Sequence, residues 1–271
     1  MSDSLGDWLG LREPADRAAR SERLVQAIAD SLQVDGPLHV LDLGTGAGSN
    51  VRFLMERLPG PQRWLVVDRS PELLALLTAR TPAGAGCEIT TLQRDLNSLD
   101  DPALFNGRHL VTASALLDLV SEAWLRRLAG RCAEAGAAAL FALTYNGESV
   151  CEPVEPEDDL VRDLLNQHQK SDKGLGGPAA GPDAVACAAR CFAEVGYEVR
   201  TEPTNWDLGP AQHGMQRYLI DGWAGAATEL APDLAPTIER WRERRMAHLA
   251  AGRSRIVVCH HDLAAWPSRP A

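Results

Sequence analysis

Lysine is almost absent from this chain. Lys170 and Lys173 are the only two in 271 residues, and every other basic side chain apart from histidine is arginine. That imbalance reads as coding composition rather than function. With 27 basic and 37 acidic residues the formal net charge is −10, so no extended nucleic-acid footprint is expected, although a local basic cleft stays open. Long apolar runs are missing too: none approaches the ~18 residues that span a bilayer. The start, Met1-Ser-Asp-Ser-Leu-Gly-Asp, has no basic region followed by an apolar core, so no signal peptide is visible there. The six cysteines (87, 132, 151, 187, 191 and 259) show no C-x-x-C spacing. Cys187 and Cys191 share one helical face and read as small buried side chains. A reduced cytoplasmic setting is the expectation. What is present is ordinary bulk. A 45% hydrophobic fraction and 271 residues suffice for one domain, with insertions, around a full core.

The most informative stretch is His39-Val-Leu-Asp-Leu-Gly-Thr-Gly-Ala-Gly48. Val40, Leu41 and Leu43 form a short apolar run that predicts a buried strand, and glycines at 44, 46 and 48 break it into a turn. Alternate glycines remove Cβ atoms where a strand passes into a helix. A ligand can then lie against the backbone and meet the free N–H groups of the helix. The next acidic strand end is Asp68, in Trp64-Leu-Val-Val-Asp68, where a βαβ unit places a carboxylate for the hydroxyls of a ribose. The dinucleotide pattern G-x-G-x-x-G would need glycine where Ser49 stands. Asp42 would also repel a pyrophosphate, whereas it would attract an ammonium or a sulfonium.

Asp42-Leu-Gly-Thr-Gly-Ala-Gly48 resembles the first motif of the class I S-adenosylmethionine (SAM) dependent methyltransferases. The resemblance covers residues 36–147 by motif and 183–262 by pattern. It implies that the loop, with Asp42, Gly44, Thr45 and Gly46, holds the methionine part of SAM. By the same resemblance Asp68 with Arg69 holds the ribose, and Asp95-Leu96 at the end of the third strand recognises the adenine. Ser114, at the end of the fourth strand, would border the cofactor. The Asn/Asp-Pro-Pro-aromatic tetrad of nucleobase amino-methylating enzymes is missing, which counts against methylation of a DNA or RNA base.

Strands are expected at 40–43, 64–68, 88–95, 109–114, 137–144 and 197–201, with a last antiparallel one at 255–259. Helices are expected from Pro14 at a first turn, with Val25, Ile28 and Leu32 packing on the sheet, then over 49–58, from Pro71, from Ser121 and over 183–195. The expected fold is α/β: a doubly wound, seven-stranded, mostly parallel sheet of Rossmann-like methyltransferase type. The whole chain, 1–271, reads as one methyltransferase domain with an N-terminal helical segment (1–35). Two insertions, 148–182 and 203–252, begin at the C-terminal ends of strands five and six. Ligands bind at that edge of open α/β sheets, so both insertions should cap the active site.

Methyl transfer to an alcohol or phenol also needs a base, and Asp118, His168 and His213 are the candidates. His168 falls on the apolar face of Leu160, Val161, Leu164 and Leu165 beside a glycine-rich loop, so it is either a core residue or a catalyst. Trp8 and Arg12 could line a pocket, but a packing Trp and a solvated Arg is the preferred reading. Met215, Tyr218, Leu219 and Trp223 form a helical stripe that reads mostly as core. The run His260-His261-Asp262 faces alternate ways on a strand and is not read as a metal site. The expected activity is SAM-dependent methyl transfer to a small-molecule acceptor. The alternatives are a methyltransferase acting on protein or RNA, and a SAM-binding protein of this fold without turnover.

Overall fold

A computed structural model describes residues 5–32, 34–81, 84 and 86–268. Most of the loop expected over 82–86, and the first four residues, lie outside the described residues. Two helices lead in, α1 (Leu5–Ala19) and α2 (Glu22–Ser31). The alternating part follows: β1 (Leu38–Leu43), α3 (Ser49–Met55), β2 (Gln62–Asp68), α4 (Pro71–Arg80), β3 (Cys87–Gln93), β4 (Leu110–Ser114), α5 (Glu122–Ala135) and β5 (Ala138–Glu152). After it come α6 (Asp158–Gln169), α7 (Ala184–Glu194), β6 (Tyr197–Pro203), β7 (Trp206–Leu208), α8 (His213–Leu230), α9 (Ala235–Ala250) and β8 (Arg255–Pro267).

The strands form one sheet in the order β3-β2-β1-β4-β5-β8-β6, with β7 also paired to β8. All neighbours from β3 to β5 are parallel, and β8 runs antiparallel to both β5 and β6. β1 lies between β2 and β4 and is covered on both faces, where Leu38, Val40, Leu41 and Leu43 are all buried. Leu41 and Leu43 join the layer under α5 and α7 with Phe141, Leu128 and Phe192. Val40 joins the layer under α2, α3 and α4 with Trp64, Ile28, Leu54 and Leu77. Helix starts follow local chemistry: the Ser21, Ser70 and Ser121 hydroxyls each accept a backbone N–H from the first turn of α2, α4 and α5. Cys187 and Cys191 are both buried in α7.

Several boundaries differ from the sequence expectation. Pro14 lies inside α1, not in a first turn; the helix starts at Leu5, and an elbow at Arg20–Ser21 separates it from α2. The first crossover helix ends at Met55 rather than Leu58. β5 does not stop at Thr144 but runs on to Glu152, so the first insertion begins as strand. It continues as a ribbon with β8, pairing Ser149 with Val258 and Glu152 with Arg255. The second insertion also opens as strand, because β7 pairs with β8 in the register already set by β6. Pro203 stands opposite His261 and Trp206 opposite Val258, with only Thr204 and Asn205 interrupting. A third apolar cluster joins α6, α8 and α9 to Trp206, Ile256 and Val258 at this edge. Met215, Leu219 and Trp223 are part of it, as their spacing indicated.

Candidate functional site

The C-terminal ends of β1 and β2 meet at the glycine loop. Asp42, fully buried, accepts from Asn50 of α3 through one oxygen (2.6 Å). Its other oxygen and the nearby Thr45 hydroxyl are both buried without a hydrogen-bonded partner. Burial pushes the Asp42 carboxyl up to about 6, against the pull of the Thr45 hydroxyl, then Asn50 and Arg20. Asp68 holds the loop from β2, accepting from the Gly46 N–H (2.8 Å) and the Ser70 N–H (2.9 Å). Glycine is required at Gly48: with φ at 83°, a Cβ there would lie 2.7 Å from Leu77. A Cβ on Gly46 would come within 3.1 Å of Leu9, so α1 lies directly over the loop. Glu13 of α1 adds a two-pronged ion pair to Arg52 of α3 (2.6 and 2.8 Å).

The other cofactor candidates lie along the same edge. Asp95 is exposed just past β3 and accepts the Asn97 N–H (2.8 Å). Leu96 is buried, and its carbonyl accepts the Trp124 indole N–H (2.6 Å). Arg69 is exposed beside Asp68. Ser114 ends β4 half-buried, and the next residue, Ala115, has a positive φ of 50°.

Of the three candidate bases, the structure puts one at this edge. Asp118 is buried in the short turn Leu117–Leu119 after β4, with Oδ1 unpartnered. Burial lifts its carboxyl to about 6, opposed by the Arg12 guanidinium, and Tyr145 of β5 also feels its charge. His168 lies at the end of α6, half-buried, and pairs with Glu229 of α8 (3.3 Å); one turn past the last core leucine, the helix has carried it to the rim. His213 is exposed at the first turn of α8, on a surface groove of about 480 Å³ with Pro14, Ala15 and Asp207. It starts the helix whose later residues are core, so it does not share their buried face.

The sequence reading missed the polar layer behind these residues. Arg12 is not solvated. Its helix turns it toward β7, where it binds Asp16 (2.9 Å) and lies 4.9 Å from the Trp206 ring centroid. Trp8 does pack, stacked on Tyr218 of α8 with centroids 4.1 Å apart. Trp206 donates to Asp16 (3.0 Å) and packs on His260 of β8, whose ring centre is 4.5 Å away. Burial pushes His260 down to about 3, so it is neutral, and its Nδ1 lacks a partner. The Thr144 hydroxyl nearby in sequence to Tyr145 is likewise buried and unpartnered. His261 turns the other way, toward Asn146 (3.3 Å), while Asp262 is buried among donors. Among the described residues no group of three or more His, Cys, Asp or Glu could hold a metal ion.

A family model described as a methyltransferase domain matches residues 40–136, from within β1 to the end of α5. Over those residues the chain carries a methyltransferase domain. No curated protein matches the sequence. Among solved structures, a cyclopropane synthase from Mycobacterium tuberculosis superposes with a TM-score of 0.51 at 11% identity, covering 97% of this chain and 94% of that one. A putative methyltransferase from Bacillus halodurans C-125 gives 0.48 at 14% identity, over 92% of this chain and all of that one. A SAM-dependent methyltransferase from Geobacter sulfurreducens, solved with S-adenosyl-L-homocysteine, gives 0.43 at 15% identity over 99% and 100%. The first likeness shows the fold, a Rossmann-like sheet that in this chain is parallel from β3 to β5 and reversed at β8.

Proposed function

We propose that the chain methylates a small-molecule acceptor, and that Asp118 takes the proton the acceptor's nucleophile releases. The observation that carries this reading is the unpartnered, buried carboxyl oxygen of Asp118 at the end of β4, within the electrostatic reach of Arg12 and Tyr145. A buried acceptor atom without a hydrogen bond is costly, and a donor supplied by a ligand removes that cost. The residues of the loop fit SAM on the same ground. Asp42 and Thr45 offer unpartnered oxygens beside glycines whose missing Cβ atoms leave the backbone open. In this reading Asp42, Gly44, Thr45 and Gly46 hold the methionine part. Asp68 and Arg69 hold the ribose, Asp95 and Leu96 the adenine, and Ser114 borders the methyl.

SAM, when bound, supplies a sulfonium methyl carbon open to in-line displacement. Asp118, as a carboxylate above about pH 6, accepts the proton of an attacking hydroxyl or amine. The rings of Trp8, Trp206 and Tyr218 exclude water and hold an apolar acceptor body. A small acceptor is favoured over a protein or RNA because α1 lies over the glycine loop and α8 stacks on α1, which leaves little open face. His168 and His213, paired with Glu229 and exposed on a groove, receive no role.

A thermal shift with SAM, with S-adenosyl-L-homocysteine and with NAD tests the cofactor. At about 100 times its dissociation constant a ligand adds roughly 2.7 kcal/mol, a rise of a few degrees. Stabilisation by the first two and not by NAD is expected. A screen of hydroxyl and amine acceptors for methylated product then tests the substrate class. Product formed by Asp118→Asn at the wild-type rate would remove the proposed base.

A further inference from the structure

The elbow between α1 and α2 places one arginine at the meeting point of the loop and the acceptor wall. Arg20 is buried, with its guanidinium 4.4 Å from the centre of the Phe53 ring. Its Nη1 donates to Asn50 Oδ1 (2.8 Å), and the amide of Asn50 donates in turn to Asp42 (2.6 Å) and to Thr112 of β4 (3.1 Å). On the other side Arg20 Nε lies 3.6 Å from Asp262 Oδ2. Asp262 accepts the Leu143 N–H (2.8 Å), the Thr204 hydroxyl (3.0 Å) and the Ser21 N–H (3.0 Å). Leu143 has a φ of 54°, a left-handed conformation that a leucine adopts only when its surroundings hold it there. That kink sits in β5 immediately before Thr144 and Tyr145.

We propose that Arg20 is a positioning residue for methyl transfer: through Asn50 it fixes the Asp42 carboxylate at the glycine loop, and through Asp262 it fixes the Leu143 kink of β5. The inference rests on the reading that Asp42 faces the cofactor. The groups facing Asp42 are Asn50 of α3, Thr112 of β4, Thr45 of the loop, Asp68 of β2 and Arg20 of the elbow. Among these Arg20 is the one cation, and Asp68 is the one other carboxylate. Asp16 and Asp262 also feel the charge of Arg20, and Asp16 is bonded to Arg12 as well, so the elbow is a buried cluster of two arginines and three aspartates.

Arg20 cannot be a surface residue that merely happens to lie here, because its guanidinium is enclosed and two of its nitrogens have no hydrogen-bonded partner. A hydrophobic side chain of similar length could still pack on Phe53. What it would lose is the field on Asp42 and the anchor for Asp262. Removing the cation leaves the Asp42 proton harder to release, so the carboxylate form is lost at a higher pH.

Calorimetric titration of S-adenosyl-L-homocysteine from pH 5 to pH 8.5 distinguishes the possibilities. The wild type comes first: no binding at any pH would sink the cofactor reading itself. Given binding, Arg20→Met should weaken it tenfold or more at pH 7 and move the pH at which affinity halves upward by about one unit. Arg20→Lys keeps the charge but loses the fork, so it should bind more weakly with an unmoved pH midpoint. Asn50→Leu leaves Arg20 in place and cuts its link to Asp42, and it should also weaken binding and raise the midpoint. A folded Arg20→Met with wild-type affinity and midpoint overturns the proposal. If Arg20→Met does not fold, an unchanged affinity and midpoint in Asn50→Leu does so equally.

Discussion

Two buried polar regions of this protein are built on opposite principles. Between α6 and α9 every charge has its partner. Arg245, fully enclosed, bonds both oxygens of Asp158 and the Pro153 carbonyl (2.6 Å). Trp241 donates to the same Asp158 (2.7 Å), and His248 meets Glu155 (2.6 Å). Arg244 spans Glu155 and Glu157. At the strand ends the buried polar atoms are left open instead: an oxygen each of Asp42 and Asp118, the hydroxyls of Thr45 and Thr144, and a ring nitrogen of His260. A completed network fixes a shape, whereas an incomplete one costs stability until something completes it. The comparison separates a clamp from a receptor within one chain.

Breaking the clamp should have the largest effect on folding. Arg245→Met strands Asp158 and should cost about 3–5 kcal/mol in urea unfolding. The folded fraction should still bind S-adenosyl-L-homocysteine with near wild-type affinity, since none of the groups it disturbs lies at the glycine loop.

The receptor should respond with the opposite sign. Folded, the carboxyls of Asp42 and Asp118 sit at about 6, above the ordinary 3.8, so the native state holds these protons more tightly than the unfolded chain. The contribution of these two carboxyls to the stability of the ligand-free protein therefore falls as pH rises from about 4 through about 6, while that of His260, pushed down to about 3, rises over the same range. Asp42→Asn keeps an oxygen for Asn50 and should raise ligand-free stability at pH 8 by up to about 3 kcal/mol, with the gain vanishing near pH 4. The same variant should lose affinity for SAM. A variant that loses stability at pH 8 would contradict this account of the loop.

Asp68 belongs to both kinds of region, because it closes two backbone N–H groups and also faces the proposed ribose site. Asp68→Asn should weaken S-adenosyl-L-homocysteine by more than tenfold, about 1.4 kcal/mol, in a calorimetric titration. Asp68→Ala would open the Gly46 and Ser70 N–H groups as well, so the asparagine variant is the cleaner test. The smallest effect is expected at His168, half-exposed against an exposed Glu229. His168→Gln should change the melting free energy by no more than about 0.5 kcal/mol and leave product formation unaltered.

The part of the molecule that sequence made legible is the part built from short-range pattern. Asp42, the glycines and Asp68 lie within one βαβ unit, where strand, turn and helix signals are contiguous, and the parallel strands through β5 followed directly. Asp118 was legible as a candidate because it trails β4 by four residues. The polar layer was invisible for a physical reason: it joins groups far apart in the chain, such as Arg20 with Asp262 and Asp16 with Trp206. Arg12 looked like a solvated residue because nothing local reveals that β7 will cover it. His168 followed the apolar spacing of its helix correctly, yet the helix end carried it to the rim. Ribbon growth in β5 and β8 was missed because both strands are stabilised by each other rather than by their own sequences.

The join between β6 and β7 has a consequence for how this sequence can change. Both strands keep one register against β8 across a gap of two residues, so the side-chain parity of Trp206 is set by a count. Inserting a single residue at Thr204–Asn205 would turn Trp206 and Leu208 outward and present Asp207 to the interior. Inserting two would restore the inward face while displacing it along β8. A length change at this junction therefore keeps the inward face only in steps of two, unless a bulge absorbs the odd residue.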